Sequence, residues 1–331
     1  MRQSSVGASH MAILPIAVVV DVDPDWRIAG TSGTAYVGNL QWEGLRRGIP
    51  ELLHRLEGFC DSQGTPIRFT WMLRSDNQMA TVYGEPAHIA DEFADFWASR
   101  VQAGDEIGWH PHTWRYSEAE QLWYQERSDE DWIRDCLVNG FQSLSRRFPV
   151  RVSKAGWTYH DNQTMRIVSD LGVKVDVSAI PGMSYRAVIP GTSLPLGEYD
   201  WSRSPQEPYH PRTDDYQLPG NGSALPILEV PNWTFPLGTT RRFLHRLRNR
   251  SWRDFANPAK KASLVGGAFR NPPYSVPFIC YFHPEELLEP SWLFGMSEVV
   301  TNLKKLLVAC NNRGLKSRFV VASDLYDSNG G

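Results

Sequence analysis

Eight short apolar runs recur along this chain, and segments with helical spacing separate most of them. The runs are 12–23, 66–73, 105–114, 150–157, 174–180, 227–231, 275–284 and 317–323. AILPIAVVVDVD (12–23) is continuously apolar until its acids, as a strand buried on both faces must be. Between the runs, 42–64 carries Leu45, Leu52, Leu53 and Leu56 at helical spacing and stops at Gly64. Residues 86–104 start on Pro and end on Gly, which predicts one helix. Residues 117–148 read as helix in two pieces, 161–173 as a helix with an Asx cap, and segments near 239–256 and 291–313 as two more. Strands alternating with helices predict a parallel sheet with right-handed crossovers. No linker divides the 331 residues, so the expectation is a single-domain α/β fold, a closed or nearly closed (β/α) barrel. A hydrophobic fraction of 41% against 21% charged leaves ample material for one core and argues against disorder.

Two stretches stand outside this rhythm. Residues 1–11 are small and polar and read as a disordered leader, with Met11 as an alternative start. Residues 181–224 are rich in Pro, Gly, Ser and Tyr and read as an irregular insertion over the mouth of the barrel. The barrel proper then runs 12–331.

Several classes are excluded. A net charge of −3 argues against a partner held by bulk charge, so no nucleic acid is expected. No apolar run approaches the roughly 18–20 residues of a membrane helix. Ile13 to Val20 is short, ends in Asp21 and lacks a cleavage site, so the expected location is cytoplasmic. Cys60, Cys136, Cys280 and Cys310 lie far apart without a CxxC, and read as buried thiols of a reducing compartment. RRFLHRLRNRSWR (241–253) holds six Arg in thirteen residues. A solvated helix face is one reading, and contact with a membrane surface or an anionic substrate is the other.

In parallel barrels the chemistry collects where strands end. VVVDVDPDW places Asp21 and Asp23 at the end of the first strand, two apart and therefore on one face. Two close carboxylates suit a base beside a metal ligand, or else are turn acids before Pro24. EIGWHPHTW places His110 and His112 at the third strand end, where Pro111 favours extended backbone and both imidazoles can face one ion. VSKAGWTYH puts Lys154 where a cation could hold a carboxylate, and His160 in the loop beyond. ICYFHPEEL ends on His283, a general acid or a capping histidine. Asp, two His and a further His converging from three strands describe metal-assisted hydrolysis of an amide or ester. Thirteen Trp outnumber twelve Tyr, and flat faces with one polar edge suit either core packing or sugar rings. Trp109, Trp114, Trp201, Tyr209, His210 and Tyr216 are the candidates for substrate contact.

These motifs, in this order, resemble those of the polysaccharide deacetylase family, carbohydrate esterase family 4, from about Ile13 to Leu325. DVD (21–23) resembles the first motif, EIGWHPHTW the second, KAGWTYHDNQTMRIVSDLGVKVDVSAIPG (154–182) the third and YFHPEEL (281–287) the last. The resemblance implies a distorted barrel of seven or eight βα units, one divalent metal (zinc, or Co, Ni, Mn or Fe), and removal of an acetyl group from a sugar. It makes Asp21 the base, Asp23 a metal ligand, His283 the acid, and the backbone N–H of Trp157 a donor to the oxyanion. The family spaces its metal histidines four apart, and Trp114 stands four after His110. His112 is therefore assigned as the second histidine, with His210 as the alternative. Lys154 stands where the family has Arg, which predicts a looser clamp on Asp21. Two other readings remain: an amidohydrolase on a non-sugar C–N bond, and a carbohydrate-binding homologue without catalysis, motivated by Trp114 and Lys154. The oligomeric state is not readable from these residues.

Overall fold

The computed structural model describes residues 12–25, 41–232, 272–273, 276–288 and 295–328. The leader 1–11 and the Arg-rich 241–253 segment lie outside the described residues.

In chain order, β1 is Ile13–Val22, α1 Ile49–Arg55, β2 Phe69–Arg74, α2 Asn77–Tyr83, α3 His88–Glu92, α4 Ala94–Gln102 and β3 Glu106–His110. β4 (Trp114–Ser117), β5 (Leu122–Gln125), α5 (Glu130–Ser145), β6 (Val152–Ser153), α6 (Asn162–Asp170) and β7 (Val175–Asp176) follow. The last are β8 (Ser184–Val188), β9 (Pro195–Asp200), β10 (Leu228–Glu229), β11 (Phe278–Phe282), α7 (Met296–Asn312), β12 (Lys316–Val320) and α8 (Asp324–Ser328).

One curled parallel sheet carries the fold, in the order β10-β7-β6-β3-β2-β1-β11, with β12 also paired to β1. It forms a half-barrel of the distorted (β/α) type. Its eight strands fall on the eight apolar runs, with Arg74 one residue past the second run and Lys316 one before the last. β1 is the shared strand: Ile13–Ala17 pair with β12, Ile16–Val20 with β11 and Val18–Val22 with β2. Both faces of β1 are covered. Ile16, Val18, Val20 and Val22 pack into the cluster that meets the helices, whereas Ala17 and Val19 pack inward with Met72, Val175 and Ile279. Asp21 and Asp23 continue the odd-numbered, inward row.

Three helix starts are set by a capping Asp, Asp76 at α2 among them. Asp129 accepts the Trp132 N–H at α5, and Asp161 makes a reciprocal capping box with Thr164 at α6. Three expectations are corrected. The helix expected over 86–104 breaks at Phe93 (φ −122°, ψ 35°) into α3 and α4. The stretch 117–148 is not helical throughout: the antiparallel β4–β5 hairpin runs through 125, and α5 begins only at Glu130. The insertion at 181–224 holds an antiparallel β8–β9 hairpin. Cys136 and Cys310 are buried, but Cys60 and Cys280 are half-buried. No helix among the described residues is long and apolar enough to cross a membrane.

Candidate active site

The carboxyl ends of β1, β2, β3, β6 and β11 converge, and the charged residues meet there. Asp23, His110 and His112 are all buried and offer ligand atoms within 4.8 Å of one another. His110 Nε2 lies 3.5 Å from Asp23 Oδ2, His112 Nε2 lies 3.5 Å from Asp23 Oδ1, and the two Nε2 atoms are 3.2 Å apart. Each ring is set by its surroundings. His110 Nδ1 meets the Lys154 carbonyl at 2.6 Å, so the proton belongs on Nδ1 and the Nε2 lone pair faces the group. His112 is wedged between Gly156 and Trp114, whose ring stacks on it at 6.2 Å between centroids and 13° between planes. The Gly156 N–H donates to the Pro111 carbonyl at 2.7 Å, which ties the two loops together.

The electrostatics favour ligation. Burial would raise Asp23, but His110 and His112 outweigh it and hold the carboxyl well below its ordinary value. Burial, then Arg74, push His112 down to about 4, so its imidazole is neutral at neutral pH. One carboxylate and two imidazoles form a donor set that fits a divalent ion.

Beside this group, Lys154 pairs with Asp21 Oδ2 and lies over the Tyr281 ring, 3.4 Å from its centroid. Lys154 is 1% exposed, a buried cation between a carboxylate and an aromatic face. Asp21 Oδ1 is buried with no hydrogen-bond partner among the described residues. His283 Nε2 stands 3.8 Å from Asp21 Oδ2 and 3.7 Å from Asp23 Oδ2, and its Nδ1 stands 3.3 Å from Glu286 Oε1. Burial would lower His283, but Glu286 and Glu285 outweigh it and raise it to about 9. Trp157 and Thr158 both take left-handed backbone (φ 56° and 55°), which turns the chain sharply next to Gly156. The β8–β9 hairpin closes on this turn: Tyr185 stacks on Trp157 at 5.8 Å, and Gly197 packs against the indole.

Most of the proposed substrate contacts are core. Trp109 is fully buried and its Nε1 donates to the Ser75 carbonyl at 2.9 Å. Trp201 is fully buried and donates to the Thr158 carbonyl at 2.7 Å. Tyr209 and Tyr216 are buried, and their hydroxyls donate to the carbonyls of Tyr216 and Asp200. His210 is bonded to the Ile227 carbonyl and sits edge-on to Tyr326, outside the ligand group, so it is no replacement for His112. His160 does lie in the loop before α6, buried at 4% exposed, with Nε2 3.4 Å from Asp176 Oδ2. Trp114 is the exception. Beyond His112 it lines a cavity of about 430 Å³ together with Asn77, Arg115, Tyr116, Trp123 and Trp132.

Sequence reasoning missed Arg74, Asp76, Glu285 and Glu286. Arg74 fell one residue past the expected strand 66–73, although an Arg ending an apolar run just before a capping Asp was a readable signal. Glu286 follows His283 by three, within reach of the same ring.

No protein-family model and no curated protein matches the chain. Solved structures do. A presumed polysaccharide deacetylase from Mycobacterium smegmatis superimposes with a TM-score of 0.52 at 15% identity, over 99% of this chain and 94% of that one. A mutant of a CE4 family pseudoenzyme with restored activity gives 0.42 at 12%, over 95% and 67%. The family 4 carbohydrate esterase from Streptomyces lividans, in complex with acetate, gives 0.36 at 8%, over 96% of both chains. The first superposition carries the argument, and it establishes the fold alone: this chain has a polysaccharide deacetylase-type fold.

Proposed function

We propose that this chain is a metal-dependent hydrolase that removes an acetyl group from an N- or O-acetylated sugar. The observation that carries the reading is the buried Asp23, His110, His112 group beside the Asp21–Lys154 pair and His283. Asp23, His110 and His112 would hold one divalent cation, zinc first among the candidates. When bound, it would supply Lewis acidity, polarising an acetyl carbonyl and lowering the pKa of water to about 7 in favourable sites.

Asp21 is the base. Lys154 holds its Oδ2, so the carboxylate is oriented, and the unpartnered Oδ1 is left to take a proton. His283 is the acid. The carboxylates of Glu285 and Glu286 keep it protonated at neutral pH, ready to donate to the leaving nitrogen or oxygen. The backbone N–H of Trp157, on its left-handed turn, is assigned to the developing oxyanion. The cavity beyond Trp114 offers flat ring faces next to amide and guanidinium groups, a lining that suits a sugar ring. Two features support catalysis over the inactive-homologue reading: His112 stands with Asp23 and His110 in one group, and Lys154 reaches Asp21.

The test is elemental analysis of protein purified without chelator or metal-affinity steps, then acetate release from N-acetylglucosamine oligomers and acetylated xylan. About one divalent metal per chain is expected, with turnover lost on chelation and regained on adding metal. Non-sugar amides in the same panel separate this reading from the amidohydrolase one. Metal far below stoichiometric after reconstitution, or a His110→Ala variant with full activity, overturns it.

A further inference from the structure

The turn after β2 carries charges that the reaction scheme leaves unused. Arg74, the last residue of β2, is 2% exposed. A buried guanidinium is tolerated only where acceptors meet its N–H groups. Three acceptors do so. Nη1 donates to Asp23 Oδ1 at 2.8 Å, Nη2 to Gln78 Oε1 at 2.7 Å, and Nε to Asp76 Oδ2. Asp76 is itself fully buried. Its Oδ1 accepts the N–H groups of Gln78 and Met79 and so caps α2. Its Oδ2 also accepts the backbone N–H of His112 at 3.1 Å. One chain of bonds therefore runs from Asp23 through Arg74 and Asp76 to His112. It joins the side chain of one candidate ligand, beyond β1, to the backbone of another, beyond β3.

The turn is also fixed from outside. Trp109 Nε1 donates to the Ser75 carbonyl at 2.9 Å, and Ser75 Oγ donates to the Gly140 carbonyl at 2.8 Å. A Cβ on Gly140 would meet Ser75 O at under 3.0 Å, so α5 seats directly on this turn. Arg74 has nowhere to drift.

Resting on the metal-site reading above, we propose that Arg74 is a positioning residue that selects which Asp23 oxygen is offered to the cation. Oδ1 already accepts from the guanidinium. Oδ2, 3.5 Å from His110 Nε2 and 3.7 Å from His283 Nε2, takes no bond from Arg74, whereas Oδ1 has only its second lone pair left, toward His112 Nε2 at 3.5 Å. Asp23 then presents one oxygen in a set orientation, and Asp76 holds His112 in register with it. The task needs a planar fork, because two carboxylates are engaged at once from different edges of one group, and a lysine ammonium offers only a point charge.

The test uses the full chain as wild type, Arg74→Met, Arg74→Lys and Asp76→Asn. Each apo protein is titrated with zinc and with cobalt against a chromophoric chelator. The readouts are Kd, the rise in Tm produced by zinc, and the cobalt absorption spectrum. Arg74→Met is expected to weaken zinc binding about 10–100-fold, to shrink the zinc-induced rise in Tm and to alter the cobalt spectrum. Arg74→Lys regains only part of the affinity. Asp76→Asn falls between, since it retains the side-chain shape but holds the guanidinium less firmly. A merely structural role would lower the apo Tm while leaving zinc Kd and the cobalt spectrum at wild-type values, and that result overturns the inference. Should Arg74→Met not fold, wild-type affinity in both Arg74→Lys and Asp76→Asn overturns it equally. If the wild type itself takes up no metal, the metal reading fails first, and the two failures are told apart by that one sample.

Discussion

Gly156→Ala is the most economical probe of the site, because it adds one methyl group at a place where the ligand His112 has none to spare. A Cβ there would lie under 3.0 Å from Cδ2, Cγ and Nε2 of the imidazole, whereas ordinary contact begins near 3.4 Å. The ring must therefore retreat by at least about 0.4 Å, twice the roughly ±0.2 Å that a metal–ligand distance tolerates. Retreat is blocked on the other sides. Trp114 stacks on the ring, His110 Nε2 stands 3.2 Å from its Nε2, and Asp76 holds its backbone N–H. The ring swings off instead, and Asp23 and His110 are left as a two-residue site. Loss of zinc affinity should exceed the roughly 10–100-fold typical of a supporting residue. The fold should survive, since overpacking by one methyl costs about 1–3 kcal/mol, or a drop in apo Tm of order 5 °C. Zinc titration, acetate release and thermal melts on the same preparations check all three. The double variant His112→Ala, Gly156→Ala supplies the control. With the ring gone the methyl has room, so adding Gly156→Ala to His112→Ala should cost almost nothing. Wild-type zinc affinity in Gly156→Ala, or additive stability losses in the double variant, would refute the geometry.

Three further outcomes follow from the same structure. Lys154→Met leaves Asp21 buried without its cation, which should destabilise by about 3–5 kcal/mol and cut turnover, whereas Lys154→Arg should regain stability better than activity; urea melts and acetate release read the two. Gly44→Ala would drive a Cβ to under 3.0 Å from the backbone of Pro284 and Glu285, which cannot swing aside, so the loop after His283 should shift and kcat fall with at most a small change in the metal content found by elemental analysis. Glu229 is fully buried, and burial and the Asp176 charge hold its carboxyl well above the usual range. The unfolded chain then loses this proton before the folded one does, so native stability declines as pH rises above the ordinary value of 4.5. Glu229→Gln lacks that decline, and its Tm relative to wild type should be more favourable at pH 8 than at pH 4.5; the opposite trend across a melt series would sink the argument.

What could be read from the residues, and what could not, divides along a physical line. A parallel sheet buried on both faces leaves its mark in sequence as continuous apolar runs, and a functional strand end leaves its mark as a charge that interrupts one. Asp21, Asp23, His110, Lys154 and His283 all stand at such interruptions. The hairpin Trp114–Gln125 leaves no comparable mark. Its polar, Glu-rich stretch has helical composition, its bend uses Gln121 in left-handed backbone (φ 51°) where a glycine would have flagged a turn, and its pairing rests on Tyr116 against Trp123 at 5.3 Å. The tryptophans misled for a related reason. An indole suits a sugar face or a core equally well, and the sequence does not show where a buried acceptor will meet its N–H. Ser75, Thr158 and Ile89 supply carbonyl acceptors to Trp109, Trp201 and Trp97.

Trp109→Phe tests that distinction directly. Trp109 is fully buried, so the substitution removes the bond to Ser75 O and leaves a buried carbonyl unmet, at a cost of about 1–3 kcal/mol. If Trp109 touched substrate, KM for an acetylated oligosaccharide would rise while stability held. The structure predicts the reverse: a lower Tm, and KM within error of wild type. Because Ser75 lies between Arg74 and Asp76, loosening its carbonyl should also reach the metal through the turn, as a modest weakening of zinc binding. Trp201→Phe, which frees the Thr158 carbonyl instead, should lower Tm without that loss of affinity. A KM effect from either variant would return these rings to the substrate cleft and remove the reason for calling them core.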